Sequence, residues 1–178
     1  MGHKTTEPLR GVLQDARNQE LLEMGYPLET WQFENESISG ARLTREDTFG
    51  GRLSYNQLIA LRPSDAETFI LGVTAWANVT RTGQLQIGMR YLPGTAQPVS
   101  IRVVNPSEPE KYVPGFLMPE IASLNTPASL ILPRDRFQTG RTLEIIHQNG
   151  ENQPVEMELS IERGIDYERV SFSSTYLF

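Results

Sequence analysis

The sequence predicts a mainly β protein with one helix at its start, and three observations carry that reading. From Tyr26 onward, short runs of β-branched, aromatic and aliphatic residues are punctuated by Gly, Pro, Asn and Asp at regular spacing, which suggests a barrel or a sandwich. Strict apolar–polar alternation in VEMELSIE, from Val155 to Glu162, marks a half-buried strand. Asn149-Gly150 stands between two alternating runs, a strong local hairpin signal. With 178 residues, 38% of them hydrophobic, the chain can build one domain with a real core or two small ones.

Taken in order, the opening MGHKTT has the texture of an appended leader rather than of a targeting segment. Thr6 can cap a helix and Pro8 is tolerated in its first turn. Leu9, Val12, Leu13 and Ala16 recur at helical spacing, and Gly25 before Tyr26-Pro27 stops the run. This amphipathic helix either packs on the next domain or mediates oligomerisation.

Strands are expected over 30–34, 41–45, 58–62, 69–80, 85–92 and 99–104. The run 69–80 has the longest apolar content and reads as a central strand, turned into the next one by Arg81-Thr82-Gly83. NPSEPE, residues 105–110, is the best linker: two prolines, two acids and no apolar side chain. A helical hint follows over 116–124, then strands over 128–132, 142–148, 155–162 and 169–173. The resulting division is a leader and helix (1–25), a barrel (26–104) and a β-rich C-terminal extension or small second lobe (105–178).

Trp31, Phe33, Ile59, Leu61, Ile70, Val73, Trp76, Ile87, Met89 and Tyr91 are expected to supply the barrel core. Trp76 also has a functional alternative as a stacking platform. The extension carries Leu130, Leu132, Leu143, Ile145, Val155, Met157, Leu159 and Ile161 at strand spacing.

Composition narrows the function. The net charge is −6, without the basic balance that phosphate neutralisation on a polynucleotide requires, although a few arginines can still hold one small phosphate ligand. No apolar run approaches the ~20 residues that span a bilayer. There are no cysteines, which excludes disulfides and thiolate chemistry and fits a reducing, cytoplasmic compartment. Of the two histidines, His3 lies in the leader and His147 in a hairpin arm with no second His or Cys for a metal. No serine sits in a G-x-S-x-G elbow, and no Walker or Rossmann glycine pattern occurs. The chain therefore reads as non-enzymatic, with no cofactor and no catalytic residue.

The chemistry gathers at FENESISGARL, Phe33 to Leu43, where an acidic strand breaks for a turn and resumes. Asn35 offers an amide donor and acceptor, Ser37 a hydroxyl, and Gly40 either a positive φ or close approach of a ligand. Asn35-x-Ser37-x-x-Gly40 resembles the [D/N]-x-S-x-x-G signature of PilZ domains, bacterial receptors of cyclic di-GMP. In that family the motif lies between the first two strands of a six-stranded antiparallel barrel. LGVTAW, from Leu71 to Trp76, and IGMRYL, from Ile87 to Leu92, are similar to the strands that follow it.

The resemblance covers roughly 31–104. It implies a six-stranded antiparallel PilZ-like β-barrel that binds cyclic di-GMP through Arg10, Asn35, Ser37, Gly40 and Arg42, and that signals to a protein partner.

The family also carries R-x-x-x-R before its first strand. Here Thr6 stands four residues before Arg10, and Leu21 four residues after Arg17. Losing those charge-assisted contacts costs about 1.5–3 kcal/mol per hydrogen bond. Either the arginines lie ahead of this sequence, or Arg42 or Arg45 substitutes from the neighbouring strand. The alternative is a degenerate PilZ-like barrel that binds no nucleotide and acts as a protein–protein interaction module. An unrelated carbohydrate-binding sandwich is a third reading, carried by strand texture alone.

Overall fold

The computed structural model describes residues 28–46, 53–66, 68–104 and 111–175. The expected N-terminal helix, Arg10 and the 105–110 linker lie outside these residues. Eleven strands and one short 3-10 turn make up the described elements.

The first five strands form one open antiparallel sheet: β1 (Gln32–Ser37), β2 (Gly40–Glu46), β3 (Leu58–Leu61), β4 (Ile70–Val79) and β5 (Gln84–Tyr91), in the order β1-β2-β5-β4-β3. β4 has a partner on each side, and the turn after it uses Gly83 at φ 82°, where a side chain would be strained.

The closed barrel lies further along the chain than the sequence suggested. β6 (Gln97–Val103), β7 (Val113–Met118), β8 (Ser129–Pro133), β9 (Thr142–Ile146), β10 (Asn152–Arg163) and β11 (Tyr167–Ser174) close in the order β10-β11-β8-β7-β6-β9. A six-stranded antiparallel barrel is present, but the expected extension builds it. The sixth strand assigned to the first barrel is recruited to the second. β6 pairs with β7 and β9, and Val99, Ile101 and Val103 enter the barrel interior with Leu130, Leu132, Leu143, Ile145, Val155 and Met157. Closure is set by these long-range pairings, which local alternation does not encode.

Two further expectations change. The helical hint over 116–124 is strand as far as Met118, and only Ala122–Leu124 form a 3-10 turn. β7 has partners on both sides, β6 and β8, and their ladders hold residues 113–118 as strand. Leu159 and Ile161 do not join the barrel core. The β10–β11 register slips between Met157 and Ser160 and again before Glu162, and the bulges leave both residues exposed.

Without a sixth strand to wrap it, the sheet buries its two faces separately. Ala41, Leu43, Ile87 and Met89 form the core of one face, with Trp31, Ile59, Leu61 and Tyr91 half-buried around them. Leu71 and Val73 leave by the other face and pack with Leu92, Met118, Ile131 and Tyr167 against the barrel. Phe33 and Trp76, expected in the core, are exposed at 42% and 37%.

A clasp reinforces this contact. Asn56 sits at φ 57°, donates from Nδ2 to the Arg163 carbonyl (3.0 Å) and accepts the Ile165 N–H on its own carbonyl (3.0 Å). The Asp166 carboxylate accepts the Leu58 N–H at 3.0 Å. The β10–β11 turn is thereby sewn to the start of β3.

Candidate functional site

β1 and β2 join through a two-residue turn, Ile38-Ser39, so Asn35 and Ser37 are strand residues with fixed directions rather than turn residues. Asn35 lies opposite Arg42, Arg42 opposite Gly88, and Gly88 opposite Trp76. Those four form one cross-strand row over β1, β2, β5 and β4. The next row is Ser37, Gly40 and Arg90. Because the side-chain period of a strand is two, both rows face the same side of the sheet. The β1–β2 register slips between Phe33 and Asn35, a bulge of the kind that re-aims side chains beside binding sites.

Two glycines shape the surface. A Cβ on Gly88 would sit 2.2 Å from Trp76 Nε1, so the indole lies across a gap that no other residue leaves open. There it meets Arg42, whose guanidinium is 5.7 Å from the ring centroid, a cation–π distance. A Cβ on Gly40 would sit 2.1 Å from the Met89 carbonyl oxygen. Gly40 is therefore required for close approach of the β5 backbone, and its φ is not among the positive ones. Ser37 Oγ donates to the Gly40 carbonyl (3.2 Å), and the Tyr91 N–H donates to the Ser39 carbonyl (2.9 Å), which pins the turn against β5.

Together these residues line a shallow groove of about 330 Å³. Arg42 and Arg90 supply its positive charge, and Arg90 is ion-paired to Glu162 of β10. Glu36, opposite Ala41, faces the other side of the sheet, where the Tyr91 hydroxyl donates to it at 2.7 Å. Burial and then the Glu36 carboxylate push the Tyr91 pKa up to about 12. The arrangement offers an aromatic face, two guanidinium groups, an amide and a hydroxyl. That set suits a ligand with planar bases and anionic phosphates.

Of the expected site residues, Asn35, Ser37, Gly40 and Arg42 come together, and Arg10 lies outside the described residues. Arg45, the other candidate substitute, turns to the opposite face. There it is buried, stacks on Trp31 at 4.8 Å and is ion-paired to Glu29. Three residues after Arg42 in a strand, it has to point away from the groove. Gly88 and Arg90 were missed. Their spacing in IGMRYL puts them on one face, but only the sheet order places that face beside Asn35.

No solved structure matches the chain at a significant level. The chain is 27% identical over 121 residues, 67% of its length, to a Pseudomonas aeruginosa protein named cyclic-di-GMP receptor FimW, and the alignment spans 20% of that protein. It thus corresponds to about a fifth of the length of this curated relative. Residues 99–175, nearly the whole run of barrel strands, match the family described as the FimW C-terminal beta-barrel domain.

Proposed function

We propose that the chain is a non-enzymatic, PilZ-like bacterial signalling module that binds cyclic di-GMP on the sheet and relays occupancy to a protein partner, in the cytoplasm. The observation that carries this reading is the row Asn35, Arg42, Gly88 and Trp76. It unites the half-motif of the sequence with an aromatic platform and a cation. Trp76 stacks one guanine with Arg42 beside it, Asn35 meets a base edge, and Ser37 meets a phosphate or base edge. The receptor name of the P. aeruginosa relative supports the ligand class. The sheet is the sensing unit and the barrel the partner-facing unit, with the division between β5 and β6.

A second reading keeps the fold without the ligand. Arg90 is already engaged by Glu162, and β1 presents six exposed residues at a sheet edge, a surface on which a partner strand can add. Calorimetric titration with cyclic di-GMP decides between the two. Micromolar binding that is abolished in Asn35→Ala/Ser37→Ala supports the sensor. An absence of heat from folded protein at high ligand concentration removes it and leaves the interaction module.

A further inference from the structure

Arg42 is already committed to Trp76, so a dinucleotide with two phosphates needs a second cation. Arg90 lies opposite Gly40 and next to Ser37 in the row beside it, at the edge of the groove nearest the barrel. Its guanidinium meets Glu162, and the same carboxylate oxygen accepts the Tyr167 hydroxyl at 2.7 Å. Glu162 reaches this point because it pairs with Arg169 and so shares the face of β11 that carries Tyr167.

We propose that Glu162 is a built-in competitor for the ligand's phosphate and that Arg90 is the exchangeable contact between them. Without ligand, Arg90 ties the sheet to the barrel. With ligand, a phosphate takes its place on the guanidinium. The inference rests on the groove being a nucleotide site, and it names the second cation of that site and what regulates it.

The chemistry of the exchange is matched. A carboxylate and a phosphate both present paired acceptor oxygens to a planar guanidinium fork. The Arg90 and Glu162 side chains are 47% and 22% exposed, so the ion pair is in contact with water and weak. A ligand already seated on Trp76 and Asn35 brings its phosphate to Arg90 at high effective concentration. Glu162 keeps the Tyr167 hydroxyl when it loses Arg90, so the barrel stays closed while one tie to the sheet opens. Coupling of this kind is reciprocal: whatever strengthens the Arg90–Glu162 pair weakens ligand binding by the same factor.

The test is calorimetric titration of the whole chain with cyclic di-GMP, each variant first checked by its thermal melt. Glu162→Gln is expected to bind about two- to fivefold more tightly, which is the strength of an exposed ion pair. Arg90→Gln is expected to bind roughly ten- to a hundredfold more weakly, and on that background Glu162→Gln should have no effect. If Glu162→Gln does not fold, Glu162→Asp, whose carboxylate falls one methylene short, should strengthen binding in its place.

Tighter binding in Glu162→Gln that disappears on the Arg90→Gln background upholds the proposal. Wild type binding with unchanged affinity in the Glu162 variant, or in Arg90→Gln, overturns the proposal and leaves the groove as a site. Silence from both wild type and Glu162→Gln overturns the groove as a nucleotide site and the proposal with it.

Discussion

At the scale of single residues, Gly88 positions Trp76, and in the proposed site Trp76 is the platform for the base. A methyl at position 88 would meet the indole at 2.2–2.9 Å, so Gly88→Ala must lift the ring from the sheet. Because the ring is on the surface, the melting temperature should change little while cyclic di-GMP affinity falls about tenfold, measured by calorimetry. Trp76→Ala should cost about 1–3 kcal/mol of binding, the range for a stacked base.

Tyr91 supplies a pH test. Its folded pKa of about 12 exceeds the ordinary value near 10, so folding favours the protonated phenol. Its contribution is intact below pH 10 and is lost as pH rises through about 12. Phenolate absorbance should show a late-titrating tyrosine that returns toward pH 10 in Glu36→Gln. That Asn35, Ser37, Gly40 and Arg42 lie together was legible in the sequence, because a hairpin fixes their neighbours locally. Arg90 was not, because β5 inserts between β2 and β4, and no local pattern states that order.

At the scale of elements, β10 shows how alternation misleads. The strict pattern from Val155 to Ile161 predicts one buried face, yet the slip after Met157 ends it. Met157→Ala should therefore cost about 2–5 kcal/mol in urea unfolding, and Leu159→Ala no more than about 0.5. The Asn149-Gly150 turn was legible and joins β9 to β10, with Gly150 at φ 85°. At the next turn, a Cβ on Gly164 would meet the Tyr167 ring at 2.1 Å and the Asn56 carbonyl at 2.6 Å. Gly164→Ala should destabilise by about 1–3 kcal/mol in the same assay. The end of β7, residues 116–118, carried a helical hint because apolar spacing in a short run fits both periods, and its two flanking strands decide the outcome.

At the scale of the molecule, the number of closed cores was the least legible quantity. The sequence shows strands and turns, whereas closure depends on which strand β6 joins. It joins β9, more than forty residues on, and leaves the sheet open. The sheet and barrel are then held by Leu71, Val73, Met118, Ile131 and Tyr167 and by the Asn56 clasp. Asn56→Ala removes the hydrogen bond that the Asn56 amide donates to the Arg163 carbonyl and places a side chain poorly suited to φ 57°. A loss of about 1–3 kcal/mol is expected, and urea unfolding monitored on the two halves should separate into two transitions where wild type shows one.

The two tryptophans have a practical consequence. Trp31 packs with the core on one side of the sheet and Trp76 lies over Gly88 on the other, each beside its own arginine. The molecule therefore carries two intrinsic fluorophores that watch opposite surfaces. In Trp31→Phe the remaining emission reports the groove, and in Trp76→Phe it reports the far side, so quenching by a nucleotide names the surface it touched without any attached dye.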